Sequence, residues 1–248
     1  FLVLYREGLP GYILISAVWL LFLAICRIVS EATGISSYYG YGLLLGLGSI
    51  MVFFARKDRA LSLLITFIAF VSAAFYTIVG TVYSSILQQY QRDRIELVLG
   101  LKSDDRGLGF NLKQSKIAIG AGELWGRGYL KGTQTKMGFV PEQHTDFIFD
   151  TIGEEWGFIG ATTFLLIFCG LLMRIVILAE RQSTTFGRVL GYSLACVLFF
   201  HLSINIGMTI GLVPTIGIPL PFISFGGSSL WAFTLFLFTF LRVDQVRK

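Results

Sequence analysis

The chain has 248 residues, of which 54% are apolar and only 14% are charged, and its mean hydropathy is +0.73. An ordinary soluble domain carries about a quarter charged residues, so this composition excludes one, and it equally excludes a disordered chain. The long, unbroken apolar runs exclude a membrane β-barrel, whose strands alternate over about ten residues. The net charge of +5 suggests loops beside an anionic leaflet before it suggests nucleic acid, and we expect no nucleic-acid partner. We therefore predict an all-α, polytopic transmembrane helical bundle.

Six segments are apolar and long enough to cross the hydrocarbon core, which takes about 20 residues. In chain order the predicted spans are 11–29, 38–55, 60–86, 157–179, 189–212 and 222–241. The last two come from one uncharged run that is too long for a single helix and is interrupted by Pro214, Pro219 and Pro221. This organisation gives three spans within 1–89, a large loop at 90–156, and three spans with a short tail within 157–248.

The distribution of Lys and Arg predicts the orientation of these spans. Basic residues occupy the connections at 56–59 and 181–188, whereas the connections at 30–40 and 213–221 contain neither Lys nor Arg. Cytoplasmic loops carry the excess of Lys and Arg, so we expect both ends of this chain to be cytoplasmic. The same assignment makes residues 90–156 extracytoplasmic.

Few polar or ionisable side chains fall within the predicted spans, although such residues usually mark function in a membrane. His201 and Asn205 are four residues apart and share a helix face. Two interpretations remain open for this pair, a hydrogen bond between helices and a polar lining for a lipid or ion path. Arg27 lies near a span end, and we expect its long side chain to snorkel outward. The absence of a chain of intramembrane carboxylates argues against an ion-coupled transporter.

The predicted outer loop interleaves basic residues with glycines. Its central part contains Lys113, Lys116, Arg127, Lys131 and Lys136. The glycine spacing matches neither a P-loop nor a dinucleotide-binding fingerprint. Two interpretations remain open: the loop grips the pyrophosphate of a polyprenyl carrier, or it is a solvated charged loop.

The densest cluster of polar residues precedes the fourth predicted span. Thr145 is a good N-cap and an apolar pattern follows it, so we expect a helix to begin there. On that helix Asp146, Asp150 and Glu154 would lie on one face, four residues apart. They would either stabilise the positive end of the helix, or repel one another so that one pKa rises or a divalent cation binds among them. A carboxylate of raised pKa suits a general base, and His144 is a second candidate ligand or base.

Eight motifs resemble those of the SEDS family (shape, elongation, division and sporulation). They lie, in chain order, at 90–94, 114–120, 132–135, 141–149, 153–155, 185–188, 205–208 and 217–228. Their order and spacing are shared from about Tyr90 to Leu241, whereas residues 1–89 match only loosely. The variants Gly-Thr-Gln-Thr and Ile-Pro-Leu-Pro-Phe resemble the elongation-type, RodA-like branch more than the division-type branch.

The resemblance implies a peptidoglycan glycosyltransferase of the bacterial inner membrane, which polymerises lipid II into glycan strands at the outer face during rod-shaped growth. It also implies a class B penicillin-binding protein, which cross-links the strands, and other membrane proteins of the elongation complex as partners. Family members have more spans than the six predicted here, and Phe1 is not a start Met. We therefore expect further spans to precede this chain and to be required for activity.

The family's essential outer-loop Asp corresponds to Asp146, whereas the family usually has a small residue at the position of Asp150. Our hypothesis on this basis is that Asp146 is the catalytic base. The leaving pyrophosphate would be stabilised by Lys or Arg side chains, with Lys116 and Lys136 as candidates, or by a divalent cation, Mg²⁺ or Mn²⁺. The residues expected to position sugar or phosphate are Gln114, Glu142, His144 and Thr145. Two alternatives remain open, a lipid II flippase and a non-catalytic membrane scaffold of the cell-wall synthesis complex.

Overall fold

A computed structural model describes residues 11–54, 59–101, 108–136 and 144–246. All regular secondary structure in these four ranges is helical, which confirms the predicted all-α class. The chain divides into two compact units, one on each side of the gap at 102–107.

The first unit packs its helices through aromatic and aliphatic side chains. Its described elements are α1 (Gly11–Thr33), α2 (Tyr38–Phe54), α3 (Arg59–Thr81), a π-helical turn (Val82–Ile86) and α4 (Gln89–Val98). Leu23, Leu44 and Tyr76 form a small buried cluster that joins α1, α2 and α3. Trp19 Nε1 donates to Ser72 Oγ over 3.1 Å and thereby fastens α1 to α3.

Arg27 is buried in the first unit, so the prediction that it snorkels outward is wrong. Its residue is 7% exposed, it forms an ion pair with Glu31, and its guanidinium lies 5.0 Å from the centroid of the Tyr76 ring. Gly80 leaves the space that the guanidinium occupies, because a Cβ there would stand 2.3 Å from Arg27 Nε. The Glu31 carboxylate and the Tyr76 ring thus interact with the guanidinium in place of the water that a snorkelling side chain would reach.

The second unit contains the remaining described helices. They are α5 (Leu108–Ala121), α6 (Thr133–Lys136), α7 (Ile148–Glu180), α8 (Thr185–Ile210) and α9 (Gly227–Val246). Thr184 caps α8 by accepting from Gly187 N over 3.1 Å, and Gly211 ends it with a φ of 80°. The fully buried side chains of Tyr192, Leu198 and Phe240 fill the space around α8.

Helices α7, α8 and α9 are successive antiparallel neighbours, because Asn205 near the end of α8 contacts Asp146 before α7, and Gln182 before α8 contacts Asp244 near the end of α9. The start of α7 and the end of α8 therefore lie at the same end of this unit as the loop that leads into α9. At the opposite end, Gln182 Nε2 donates to Asp244 Oδ1 over 2.6 Å and joins the α7–α8 turn to the end of α9. The candidate site lies at the first of these two ends.

Five helices in the described residues are long and apolar enough to cross a membrane. Their spanning parts are Ile15–Thr33, Ser62–Ile86, Ile148–Glu180, Thr185–Ile210 and Gly227–Val246. Helix α2 corresponds to the remaining predicted span, and its 17 residues stand at the lower limit for crossing a bilayer. The chain is thus a multi-pass membrane protein, as its composition predicts.

Candidate functional site

Helix α7 is broken at Gly157, and a loop from the preceding segment repairs the break. Gly157 has φ 64° and ψ −163°, a conformation essentially restricted to glycine, so the helical hydrogen bonds around it are lost. Four backbone bonds of 2.9–3.2 Å replace them: Arg127 and Gly128 N–H donate to Glu154 and Glu155 O, and Phe158 and Ile159 N–H donate to Glu123 and Leu124 O. Non-helical backbone at membrane depth requires such internal partners. We call residues 122–128 the inserted loop.

Asp146 lies in a turn before α7 and not on the helix. Residues 144–146 form this turn and α7 begins at Ile148, so the predicted helix start near Thr145 is wrong. The reason is tertiary, because other segments bind the backbone of the turn. Phe225 N donates to His144 O, and Asn205 Nδ2 donates to Asp146 O, both over 2.8 Å. We call residues 144–146 the acidic turn.

The acidic turn faces the connection between α8 and α9, residues 211–226, which we call the α8–α9 loop. Asp146 is half-buried, and a Cβ placed on Gly217 would stand only 3.1 Å from its Oδ2. The glycine therefore makes room for the carboxylate. Of the other two members of the turn, Thr145 is half-buried and His144 is exposed.

Asp150 is fully buried between α5, α7 and α8. Ser115 Oγ lies 2.8 Å from Asp150 Oδ1 and 2.7 Å from Thr209 O. Ser115 on α5 thus stands within hydrogen-bond distance of both α7 and α8. Among the described residues no group bonds to Asp150 Oδ2.

Glu154 is fully buried and binds the start of α6. Its Oε1 accepts from Gln134 N over 2.9 Å and from Thr133 Oγ1 over 3.3 Å. Arg127 Nη1 in turn donates to Thr133 Oγ1 over 2.7 Å, which links the inserted loop to the same point. Glu154 thus accepts hydrogen bonds from the first turn of α6, as an N-cap residue does, although it lies on α7.

The carboxylates that the sequence placed on one helix face therefore have separate surroundings. Asp146 lies in the acidic turn, Asp150 contacts Ser115, and Glu154 holds α6. In the part of the chain that the structure describes, no group of three or more His, Cys, Asp or Glu side chains is placed to hold a metal ion.

Two predicted site residues lie on α5, and one of them, Lys116, stands against the α8–α9 loop. Lys116 is exposed, and a Cβ on Gly211 would stand 2.6 Å from its Nζ. Lys116 and Lys113 line an open groove of about 400 Å³. The same loop thus meets Lys116 at Gly211 and Asp146 at Gly217. Gln114 is half-buried on the same helix.

The side chains of two further predicted site residues, Lys136 and Glu142, lie outside the part of the chain that the structure describes. Lys136 is the last residue of α6, and only its backbone is described. Glu142 lies outside the described residues.

His201 and Asn205 both bind loop backbone. His201 Nδ1 donates to Pro219 O over 3.2 Å, and its ring stands edge-on to Phe233 at 4.9 Å. Asn205 Nδ2 donates to Asp146 O and to Ile218 O, each over 2.8 Å. In the sequence Asn205 stands out only as a polar residue one turn from His201 in an apolar helix. That feature was not sufficient to predict it as a site residue.

Replacing Glu154 by Leu should loosen the start of α6. Loss of an N-cap acceptor weakens a helix start by about 1 kcal/mol, so we expect the Gln134 amide hydrogen to exchange about fivefold faster. Hydrogen–deuterium exchange of residues 132–136 measures this change. The matched control is Glu154→Gln, which keeps the accepting oxygen and should exchange nearly as slowly as the parent. Equal exchange in Glu154→Leu and the parent would contradict the capping role.

The model of the FtsW/RodA/SpoVE family, described as "Cell cycle protein", matches residues 8–248. Peptidoglycan glycosyltransferase MrdB of Escherichia coli (strain K12) is 39% identical over 191 residues, which cover 71% of this chain and 52% of that protein. Peptidoglycan glycosyltransferase RodA of Treponema pallidum is 37% identical over 146 residues, covering 59% of this chain and 34% of that one. The chain thus spans about half the length of these relatives, or less.

A solved structure supports the same relationship. It belongs to work on "structural coordination of polymerization and crosslinking by a peptidoglycan synthase complex" and superimposes with a TM-score of 0.54 at 26% identity. The match covers 91% of this chain and 67% of that one. The resemblance carried by the sequence motifs is therefore confirmed, and the chain belongs to the FtsW/RodA/SpoVE family, the SEDS proteins.

Proposed function

We propose that the protein from which this chain comes is a peptidoglycan glycosyltransferase of the elongation type, which polymerises lipid II. One observation carries this proposal: the family-matched Asp146 lies half-buried in a turn whose backbone is held by Asn205 and Phe225. A general base must be held within hydrogen-bond reach of the proton it removes, and a turn whose backbone is fixed by two other segments suits that task. The named activity of the relatives MrdB and RodA supports the assignment.

In the proposed reaction Asp146 acts as the base. The 4-hydroxyl of a GlcNAc in one lipid II attacks the anomeric carbon of the growing glycan chain. As the new glycosidic bond forms, the hydroxyl proton passes to the Asp146 carboxylate. The bond between the anomeric carbon and the pyrophosphate breaks on the opposite face, so the configuration inverts and the electron pair leaves with undecaprenyl pyrophosphate. Thr145 and His144 adjoin the base, and we assign them to sugar or phosphate positioning.

The leaving pyrophosphate gains negative charge, and basic side chains would stabilise it. We assign this role to Lys116, which stands against the α8–α9 loop that also faces Asp146. Gln114, on the same helix, and Lys136 and Glu142 are further proposed contacts. A divalent cation, Mg²⁺ or Mn²⁺, commonly binds through one or two carboxylates together with substrate phosphates. Such an ion would meet this chain at Asp146, because Asp150 and Glu154 are engaged elsewhere.

An apolar groove beside the site suits the hydrocarbon chain of the substrate. It has a volume of about 580 Å³ and runs between α5, α7 and α8, where Ile119, Phe149, Phe158 and Ile206 line it. A polyprenyl chain is a branched hydrocarbon, and burial of its methyl and methylene groups against such side chains is favourable.

We further propose that the acidic turn faces the outside of the bacterial inner membrane. The opposite end of the second unit carries Arg181, Arg188 and Arg242, and the positive-inside rule places that end in the cytoplasm. Lipid II displayed at the outer leaflet would then meet Asp146. The proposed partners are a class B penicillin-binding protein, which would cross-link the product strands, and other elongation-complex proteins. The solved relative, from work on polymerization and crosslinking within one synthase complex, supports such a pairing.

A polymerisation assay in detergent separates this proposal from its alternatives. The full-length gene product, purified in micelles and supplied with lipid II, is expected to form glycan strands that resolve as a ladder on a gel. A flippase moves lipid between two compartments and needs a sealed bilayer, so it would give no ladder in micelles. A scaffold would give none unless a separate polymerase were added. Absence of strands from a folded preparation would refute the proposed activity.

A further inference from the structure

We propose that Asn205 is a positioning residue that sets the place of the Asp146 carboxylate by binding two loops at once. This inference rests on the proposed function, in which Asp146 is the base. Asn205 is fully buried on α8, and its side-chain amide donates one hydrogen to Asp146 O and the other to Ile218 O. Both distances are 2.8 Å, so both hydrogens of the amide are used in short bonds.

The contacts of Asn205 are one-sided. Its two donated hydrogens are both bound, whereas no group among the described residues bonds to its Oδ1. A buried asparagine placed only to satisfy its own polarity would pair the oxygen as well. The orientation is thus the one that joins two carbonyl groups, and it leaves the accepting atom unpaired.

The two carbonyls belong to segments that meet at the reacting group. Asp146 O is part of the acidic turn, and Ile218 follows Gly217, the residue that stands against Asp146 Oδ2. Asn205 therefore fixes the distance between Asp146 and the α8–α9 loop at Gly217. Phe225 N donates to His144 O independently, so the turn keeps one attachment when Asn205 is changed.

The test replaces Asn205 in the full-length gene product. Asn205→Asp keeps the shape but puts oxygen against two carbonyl oxygens, and Asn205→Ser is smaller and keeps one donor. A displacement of about 1 Å at a reacting group lowers turnover by about 100-fold, so we expect kcat to fall by 10- to 100-fold while KM for lipid II stays within threefold. Because the introduced carboxylate repels both carbonyls, Asn205→Ser should retain more turnover than Asn205→Asp.

The matched control is Thr209→Val, one turn further along α8. Thr209 is equally buried, and its hydroxyl donates only within its own helix, to Ile206 O over 2.8 Å. We expect this variant to keep the parent kcat. The control thus separates loss of a buried polar group on α8 from loss of the two bonds to the loops.

Hydrogen–deuterium exchange provides a readout independent of activity. In the Asn205 variants the amides of 144–149, 216–218 and 220 should exchange faster, and those of 186–200 should not. Should Asn205→Asp fail to fold, Asn205→Ser decides the matter alone. Parent kcat in a folded Asn205→Ser, unchanged exchange in both loops, or an equal loss in Thr209→Val would each overturn the positioning role. Strand synthesis by Asp146→Asn would instead refute Asp146 as the base, whatever the exchange data show.

Discussion

Asp146→Asn in the full-length gene product is expected to lower lipid II polymerisation by 10²- to 10⁴-fold, the range that a positioned acid or base usually contributes. The amide has nearly the size of the carboxylate but cannot accept the proton of the attacking hydroxyl. The backbone attachments of the acidic turn do not involve the exchanged atoms, because Asn205 and Phe225 bind carbonyls. Initial rates of strand formation at saturating lipid II measure the effect.

Two further substitutions make this result specific. Asp244→Asn makes the same exchange at the opposite end of the second unit, where Asp244 accepts from Gln182, and it should polymerise at the parent rate. Asp146→Glu restores a carboxylate but lengthens the side chain against Gly217, which lies close to Asp146 Oδ2. We expect little recovery from it. Polymerisation by Asp146→Asn within threefold of the parent would show that another group removes the proton.

The spans of this chain could be predicted from sequence because each is a local property. A helix that crosses a bilayer satisfies its own backbone, so about 20 apolar residues are sufficient to predict it. The break between the last two spans was equally local, since Pro214, Pro219 and Pro221 cannot continue a helix. These predictions required no knowledge of which helices are neighbours.

The acidic turn shows where local reasoning failed. Thr145 followed by an apolar pattern favours a helix start, and the chain nevertheless delays α7 until Ile148. The delay depends on bonds from Asn205 and Phe225, which lie 59 and about 80 residues away in sequence. Periodicity reports which residues share a face within one element, and it carries no information on such distant partners.

The acidic residues illustrate the same limit for the site. On a continuous helix the spacing of Asp146, Asp150 and Glu154 would give one carboxylate row. In the structure Asp150 meets Ser115 on α5, and Glu154 meets the start of α6. The spacing correctly indicated that these carboxylates make specific contacts. The role of each one, however, depends on its partners from other helices.

Gly157→Ala is expected to destabilise the second unit by at least about 3 kcal/mol, because strain and overlap act together. Its φ of 64° with ψ −163° lies in a region that residues with a Cβ avoid. A Cβ there would also stand 2.3 Å from Gly126 N and 2.8 Å from Leu124 O, both backbone atoms of the inserted loop. Leu124 O accepts one of the four bonds that repair the break in α7, and Gly126 N donates to Gly122 O within the inserted loop, so a shift of either atom disturbs that loop.

Thermal unfolding in detergent measures this effect, and Gly170→Ala is its control. Gly170 lies on the same helix with nothing within 4 Å of a Cβ, so alanine there should be neutral or slightly stabilising. Gly126→Ala would place a Cβ 2.1 Å from Glu155 O and should lower the unfolding temperature as Gly157→Ala does. Since both changes expel the same loop, the double variant should be little worse than either single one. Additive losses would indicate that the two glycines serve separate contacts. If Gly157→Ala unfolded at the same temperature as Gly170→Ala, the conclusion that the inserted loop repairs the break in α7 would be refuted.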